Sequence, residues 1–309
     1  MPRSLLFAVL LAAAAFGRAD TLYKYEDEEG NWIYSDRPPP DGSPVETRAL
    51  ERGSADPAFV VRHVADDDGL SFVATNGYHA PFEVMLHFDR IEGLEHPPAE
   101  LELRWVVPAR SRATLLTLER RESAAEPRAD YLYEFVAGPS GASHVPERPY
   151  RTPYALAQSF PVTQAYPDAA THQTPDSAHA VDFAVPVGTD VFAARGGVVF
   201  AVEGENFRGG LDTNRHGAEA NVIQILHGDG TFAVYAHLNR SSIRVQPGDI
   251  VRRGDYIAES GNTGFSSGPH LHFVVLRNAG MRLVSVPVAF EGQSGRAVTP
   301  ATGKALTAY

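Results

Sequence analysis

The chain contains no cysteine in its 309 residues. A disulfide framework is therefore excluded, as is a lipid anchor carried on cysteine, so stability has to come from packing. Basic residues are also in deficit: 27 Lys and Arg stand against 38 Asp and Glu, a formal net charge of -11. A chain with that balance is a poor partner for nucleic acid or for an anionic lipid surface. Long apolar runs are missing as well. The stretch at residues 5–16 in MPRSLLFAVLLAAAAFGRAD is too short to span a bilayer. With Arg3 ahead of it and Gly17-Arg18-Ala19 behind it, it reads as a secretory signal peptide, 1–19, cleaved after Ala19. Those residues hold two arginines and no acid, so their loss takes the net charge from -11 to -13. The mature chain is expected to be exported, with no integral membrane segment left.

What is present is apolar enough, at 43% hydrophobic, for packed cores, and long enough for about two domains. Residues 20–55 open with DTLYKYEDEEGNWIYSDRPPPDG, in which aromatic runs at 22–25 and 32–34 flank a turn-like EDEEGN. That pattern predicts a hairpin closed by Pro38, Pro39 and Pro40, too small to bury a core alone. It resembles a short N-terminal domain of unknown function found in exported proteobacterial proteins. Trp32 and Tyr34 read as packing positions.

Across 56–136 the period becomes two. Phe82, Val84, Leu86 and Phe88 alternate with Glu83, Met85, His87 and Asp89, and Leu101, Leu103 and Trp105 alternate with Glu100, Glu102 and Arg104. Several short strands between turn signals predict a β-sandwich of immunoglobulin-like type. His63, His79, His87 and His96 are scattered through it, and DDDG at 66–69 reads as a solvated turn. AGPSGASHVPERP, 137–149, marks a linker.

Residues 150–290 are again β-rich, with HGDG at 227–230 as a hairpin turn and VQPGDIV and VRRGDYI as two similar strand connections. The tail, 291–309, is Gly-, Ala- and Thr-rich and is expected to fray. The fold class is all-β throughout. Seven of the twelve histidines fall between 172 and 272, and the chemistry must be sought there.

In the run SSGPHLHFVV an extended backbone puts His270 and His272 on one face and Leu271 on the other. Asp182 heads an apolar strand in AHAVDFAVP, a costly position for an acid unless it is paired or bound to metal. A catalytic zinc takes three such ligands and keeps a fourth position open. Gly264-Phe265-Ser266-Ser267-Gly268 matches G-x-S-x-G, but Pro269 and a strand-like run follow where a nucleophile elbow needs a helix. No H-E-x-x-H is present to bring a glutamate base.

Three blocks in order, THQTPDSAHAVDFAVPVGTDVFAARGGVV, VIQILHGDGTFAVYAHL and VQPGDIVRRGDYIAESGNTGFSSGPHLHF, resemble the lysostaphin/LytM-type zinc endopeptidases, and the first block resembles their LasA-like members. The resemblance covers about 150–290 and implies an antiparallel β-sheet metallopeptidase domain. It implies zinc held by Asp182, His272 and a histidine of the first block, with His237 and His270 assisting catalysis. The commonest family pattern has that first histidine four residues before the aspartate, where this chain has Ala178. His179, three residues before Asp182, would face the other way in an extended strand. His172 lies in a loop able to return to the metal and is preferred. His227 reads as packing or as a support to the site, and His216 as a polar-loop residue.

The resemblance further implies a Zn2+-dependent hydrolase of peptidoglycan peptides, periplasmic or secreted from a Gram-negative bacterium. The alternative is an inactive family member that binds wall peptides or activates another hydrolase. A lipoyl-like carrier or carbohydrate-binding module is a third class, but no lysine lies near the VQPGDIV and VRRGDYI turns and the histidines would be left unexplained.

Overall fold

The computed structural model describes residues 58–309, apart from 98–101, 122–125, 213–215 and 217–218, and the strand segments 21–26, 32–35 and 46–49. The expected signal peptide lies outside the described residues, as do Glu100 and Leu101. The described chain is nearly all β-structure and divides into units of residues 1–57 and 58–309.

In the first unit, β1 (Thr21–Glu26) pairs antiparallel with β2 (Trp32–Ser35), Lys24 opposite Tyr34. This is the hairpin expected from the two aromatic runs. A further strand, β3 (Glu46–Ala49), pairs with the other edge of β1; its sequence, ETRA, carries no apolar alternation that would have announced it.

The second unit opens with six strands: β4 (Phe59–Ala65), β5 (Gly69–Asn76), β6 (Phe82–Glu92), β7 (Arg104–Val107), β8 (Ser111–Glu119) and β9 (Arg128–Ala137). They form two three-stranded antiparallel sheets, in the orders β4-β5-β8 and β7-β6-β9. Apolar alternation forms the core between them: Phe72, Val84, Leu86 and Leu118 are buried, and the Phe72 ring meets Phe88 and Tyr131 edge-on at 5.0 Å. Asp66 Oδ1 accepts the N–H groups of Asp68 and Gly69, so DDDG is indeed a turn. Glu83 departs from the alternation, being buried rather than solvent-facing. Its carboxylate accepts hydrogen bonds from Asn278 Nδ2 (2.6 Å) and the Met281 N–H (3.1 Å). A buried carboxylate is tolerable only with such partners.

Met281 lies in the bend after Asn278, which ends the strand Leu271–Asn278 of the sheet that follows. Its strands are β10 (Ser159–Gln164), β11 (Val181–Phe183), β13 (Gly197–Glu203), β15 (Val222–Leu226), β16 (Phe232–Ala236), β17 (Ile250–Val251), β20 (Leu271–Asn278), β21 (Leu283–Ser285) and β24 (Ala305–Thr307). The order is β17-β13-β15-β16-β20-β11-β10-β24, with β21 also on β20. Between them come β12 (Asp190–Phe192), β14 (Gly209–Gly210), β18 (Tyr256–Glu259), β19 (Gly264–Phe265), β22 (Phe290–Glu291) and β23 (Ala297–Val298), in two-stranded pairs. One face of the sheet packs Val181, Phe183, Ile223, Ile225, Tyr235, Leu271 and Phe273 into its own core. On the opposite face Phe200, Phe232, Val274 and Leu276 join the core of the sandwich.

Local chemistry accounts for the connections. In the two echoing turns Asp249 accepts the Gln246 N–H and Asp255 accepts the Arg252 N–H, the same device three residues back in each. Gly248 must be glycine twice over: its φ is +103°, and a Cβ there would lie 2.8 Å from the His79 ring of the sandwich. The HGDG turn closes β15 onto β16 through the His227 N–H and Thr231 O. The tail corrects the expectation of fraying. β24 extends the sheet beside β10, Leu306 and Ala308 are buried, and the Tyr154 hydroxyl donates to Leu306 O at 2.6 Å. A low-complexity composition concealed one well-placed leucine.

A chain cut to begin at residue 150 would bare Phe200, Phe232, Val274 and Leu276, each worth about 1.5–3 kcal/mol when buried. It is expected to melt well below a 58–309 chain and to bind an apolar dye. Equal melting temperatures for the two would show that the sandwich contributes nothing to the sheet.

Candidate metal centre

The site begins with strand register. β11 runs antiparallel to β20 with Asp182 opposite His272, so the two side chains share a face on adjacent strands. Asp182 Oδ1 lies 2.9 Å from His272 Nδ1. On the other side of β20, Ala236 stands opposite His272. The next residue, His237, leaves the strand with φ +61°, and its ring lies 4.5 Å from that of His270 and 5.8 Å from that of His272. His172 comes from the loop between β10 and β11. Its ring meets His272 edge-on at 5.1 Å, with Nε2 3.3 Å from Asp182 Oδ2. His172 and Asp182 are buried.

The hydrogen bonds set which nitrogens face inward. A carbonyl oxygen only accepts, so His237 donates Nδ1–H to Thr263 O (2.7 Å) and His270 donates Nδ1–H to Gly268 O (2.8 Å). Nε2 of both rings is left facing inward, and that of His270 lies 3.9 Å from Asp182 Oδ2. Burial, then the neighbouring His272 and His270 rings, pushes His237 down to about 3, leaving it neutral near pH 7. Burial alone would raise the Asp182 carboxyl. Hydrogen bonds and charge from His172 and His272 outweigh it and hold the group well below the usual carboxylate range.

His172, Asp182 and His272 each offer one ligand atom, all within 4.8 Å of one another. Two imidazoles and an ionised carboxylate suit a divalent metal such as zinc. Ligands on a tetrahedral ion with bonds of ~2.0–2.1 Å are separated by about 3.3 Å, close to the observed His172–Asp182 spacing. The donor set therefore fits the metal that the resemblance implies.

His179 is not in the cluster. β11 starts only at Val181, and 174–180 is a series of turns, so the expected reason, opposite faces of one strand, does not apply. Its ring instead lies 4.6 Å from Tyr166, and its N–H donates to Ser285 Oγ. His227 sits by the HGDG turn, at the end of β15 and β16 away from His237, with Nδ1 donating to Gly196 O (2.9 Å) and its ring against Tyr150. It is a packing residue. His216 pairs with Glu219 at 2.7 Å. After Gly268 comes β20 rather than a helix, and the Ser266 hydroxyl lies 2.7 Å from Asn262 Oδ1 and 2.8 Å from Gly268 O, bracing the loop. One residue went unnoticed in the sequence. Gln164, opposite Asp182 across β10 and β11, donates Nε2–H to Asp182 Oδ2 at 2.7 Å. Its only signal was a polar residue closing the strand run SFPVTQ.

Known proteins resemble the chain in this region. Residues 176–283 match Peptidase family M23, and residues 6–59 match a domain of unknown function, DUF4124. The first match spans Asp182, His237, His270 and His272, and His172 lies four residues ahead of it. The peptidoglycan DD-endopeptidase ShyA of Vibrio cholerae is 39% identical over 95 residues, 31% of this chain and 19% of ShyA. Lysostaphin of Staphylococcus staphylolyticus is 33% identical over 129 residues, 40% of this chain and 24% of lysostaphin. The chain thus spans about a fifth to a quarter of the length of these two relatives. Among solved structures, the catalytic domain of lysostaphin from Staphylococcus simulans is 30% identical, with 41% of this chain and 83% of that domain covered and a TM-score of 0.27.

His227 yields a pH prediction independent of the metal. Burial pushes it down to about 4, so between pH 6.5 and 4 the unfolded chain binds a proton that the folded chain does not. Its contribution is whole above pH 6.5 and is lost as pH falls toward 4, on the order of 3 kcal/mol in all. Denaturant unfolding at pH 7.5, 5.5 and 4.5 should show this loss, flattened in His227→Gln. An equally steep decline in that variant would refute the assignment.

Proposed function

We propose, from the premise that residues 176–283 of this chain are a peptidase family M23 domain, that the chain is an exported zinc-dependent endopeptidase cutting amide bonds in peptidoglycan peptide stems or cross-links. The observation that carries this reading is the meeting of His172, Asp182 and His272 beside two further imidazoles whose Nδ1 atoms are fixed on backbone carbonyls. The relatives named as peptidoglycan endopeptidases support the substrate class. No helix among the described residues is long and apolar enough to cross a membrane. The signal-like N-terminus and a wall substrate favour a periplasmic or secreted enzyme.

His172, Asp182 and His272 would hold the metal. Bound zinc supplies Lewis-acid polarisation of a scissile carbonyl and lowers the pKa of water from 15.7 toward about 7. The protein's own part is proton handling and charge placement. His237 offers the Nε2 lone pair as a proton acceptor, while its Nδ1–H stays fixed on Thr263 O. His270, fixed through Gly268 O, presents a second Nε2 to the same space, able to stabilise a developing oxyanion or return a proton to the leaving amine once protonated. Both rings are oriented by backbone carbonyls, so neither has to reorganise during the reaction.

Metal content and hydrolysis of purified peptidoglycan, measured on the same samples, test the proposal. Wild type is expected to hold about one zinc, the number for a single three-ligand site. His172→Ala should lose metal and activity together, and His179→Ala should keep both. His237→Ala should keep the metal while hydrolysis falls by about 10²–10⁴-fold. A wild-type chain that takes up no zinc and cuts nothing would leave the wall-binding, non-catalytic family member as the better account.

A further inference from the structure

A ligating imidazole is ordinarily oriented by a hydrogen bond from its second nitrogen. His172 has none: its Nδ1 is buried without a hydrogen-bond partner. The ring must therefore be placed by the backbone that carries it, residues 165–172. That segment is pinned at two points. Thr302 Oγ1 accepts the Ala165 N–H (3.0 Å) and donates to Asp168 O (2.9 Å). Gln164 Oε1 accepts the N–H groups of Ala170 and Thr171, both at 2.9 Å, and lies 3.0 Å from the Thr171 hydroxyl. The other end of the same amide donates to Asp182 Oδ2.

The amide orientation is forced by its neighbours. Backbone N–H groups demand the oxygen, and the Asp182 carboxylate demands the NH₂. A glutamate at this position would have no donor for Asp182, and an apolar side chain would serve neither end. We infer that Gln164 is a positioning residue of the metal centre: its single amide ties the Asp182 carboxylate to the backbone immediately before His172, and so fixes the spacing between two ligands that come from different segments. The inference rests on the metal-site reading above and adds the device that assembles it. Gln164 is not assigned contact with substrate, so its effect should appear in metal binding before it appears in chemistry.

The test is zinc affinity of the full chain by competition with a chromophoric chelator, together with the visible spectrum of the cobalt(II)-loaded protein. Circular dichroism of the metal-free forms checks folding. Gln164→Leu, close in size and lacking the amide, should stay folded, bind zinc about 10–100-fold more weakly, and shift the cobalt spectrum toward that of His172→Ala. Thr171→Val, which removes only the hydroxyl contact, should weaken zinc by about threefold, the worth of one hydrogen bond; it also carries the test if Gln164→Leu does not fold. Wild-type zinc affinity and an unchanged cobalt spectrum in Gln164→Leu would overturn the inference while leaving the metal centre standing. If Gln164→Leu does not fold, unchanged affinity in Thr171→Val would overturn it. A wild-type chain that binds neither metal would overturn the metal centre, and this inference with it.

Discussion

The pairing of β11 with β20 in one register is the constraint on which the site depends. Val181, Phe183, Leu271 and Phe273 point into the sheet's own core and are almost fully buried. Their burial forces Asp182 and His272 onto the opposite face, directly across from each other. A slip of one residue would exchange the faces, burying Asp182 and His272 in an apolar core and exposing the aromatics. The hydrophobic term that stabilises the domain is thus the same term that holds Asp182 and His272 side by side.

That opposite face is shared. Along β20, His272 is followed by Val274 and Leu276, which belong to the core formed with the sandwich. The face therefore carries polar chemistry at one end and an apolar seat for the sandwich at the other, with Glu83, Asn278 and Gly138 forming a buried polar tie across the join. Around Asp182 the same economy of partners recurs. A carboxylate this buried would be expensive alone, and it is met by His172, His272 and Gln164 at once. The cluster is held in place by the chain's own contacts.

How much of this could be read from the sequence varied with range. The shared face of His270 and His272 follows from period two alone, and Asp182 stood out as an acid in an apolar run. The strands of the sandwich were legible from alternation, but the burial of Glu83 was not, because its partner, Asn278, lies 195 residues away. His237 carries no local signal: its orientation depends on a positive φ and on Thr263 O, neither visible in AVYAHL. The preference for His172 over His179 rested on family resemblance and on opposite strand faces; the turns of 174–180 remove the second ground, and it is His172 that lies beside Asp182 and His272. The tail strand pairs with β10, about 150 residues earlier, and Gln164 acts through amide hydrogen bonds that a polar residue at a strand end does not announce.

The most direct test of the account is X-ray diffraction from crystals of the zinc-loaded chain, recorded on both sides of the zinc absorption edge. The account predicts one strong anomalous peak about 2.0–2.1 Å from His172 Nε2, His272 Nδ1 and the Asp182 carboxylate, with His237 and His270 beside it and outside bonding distance. A peak bonded to His179, or none between β11 and β20, would contradict it.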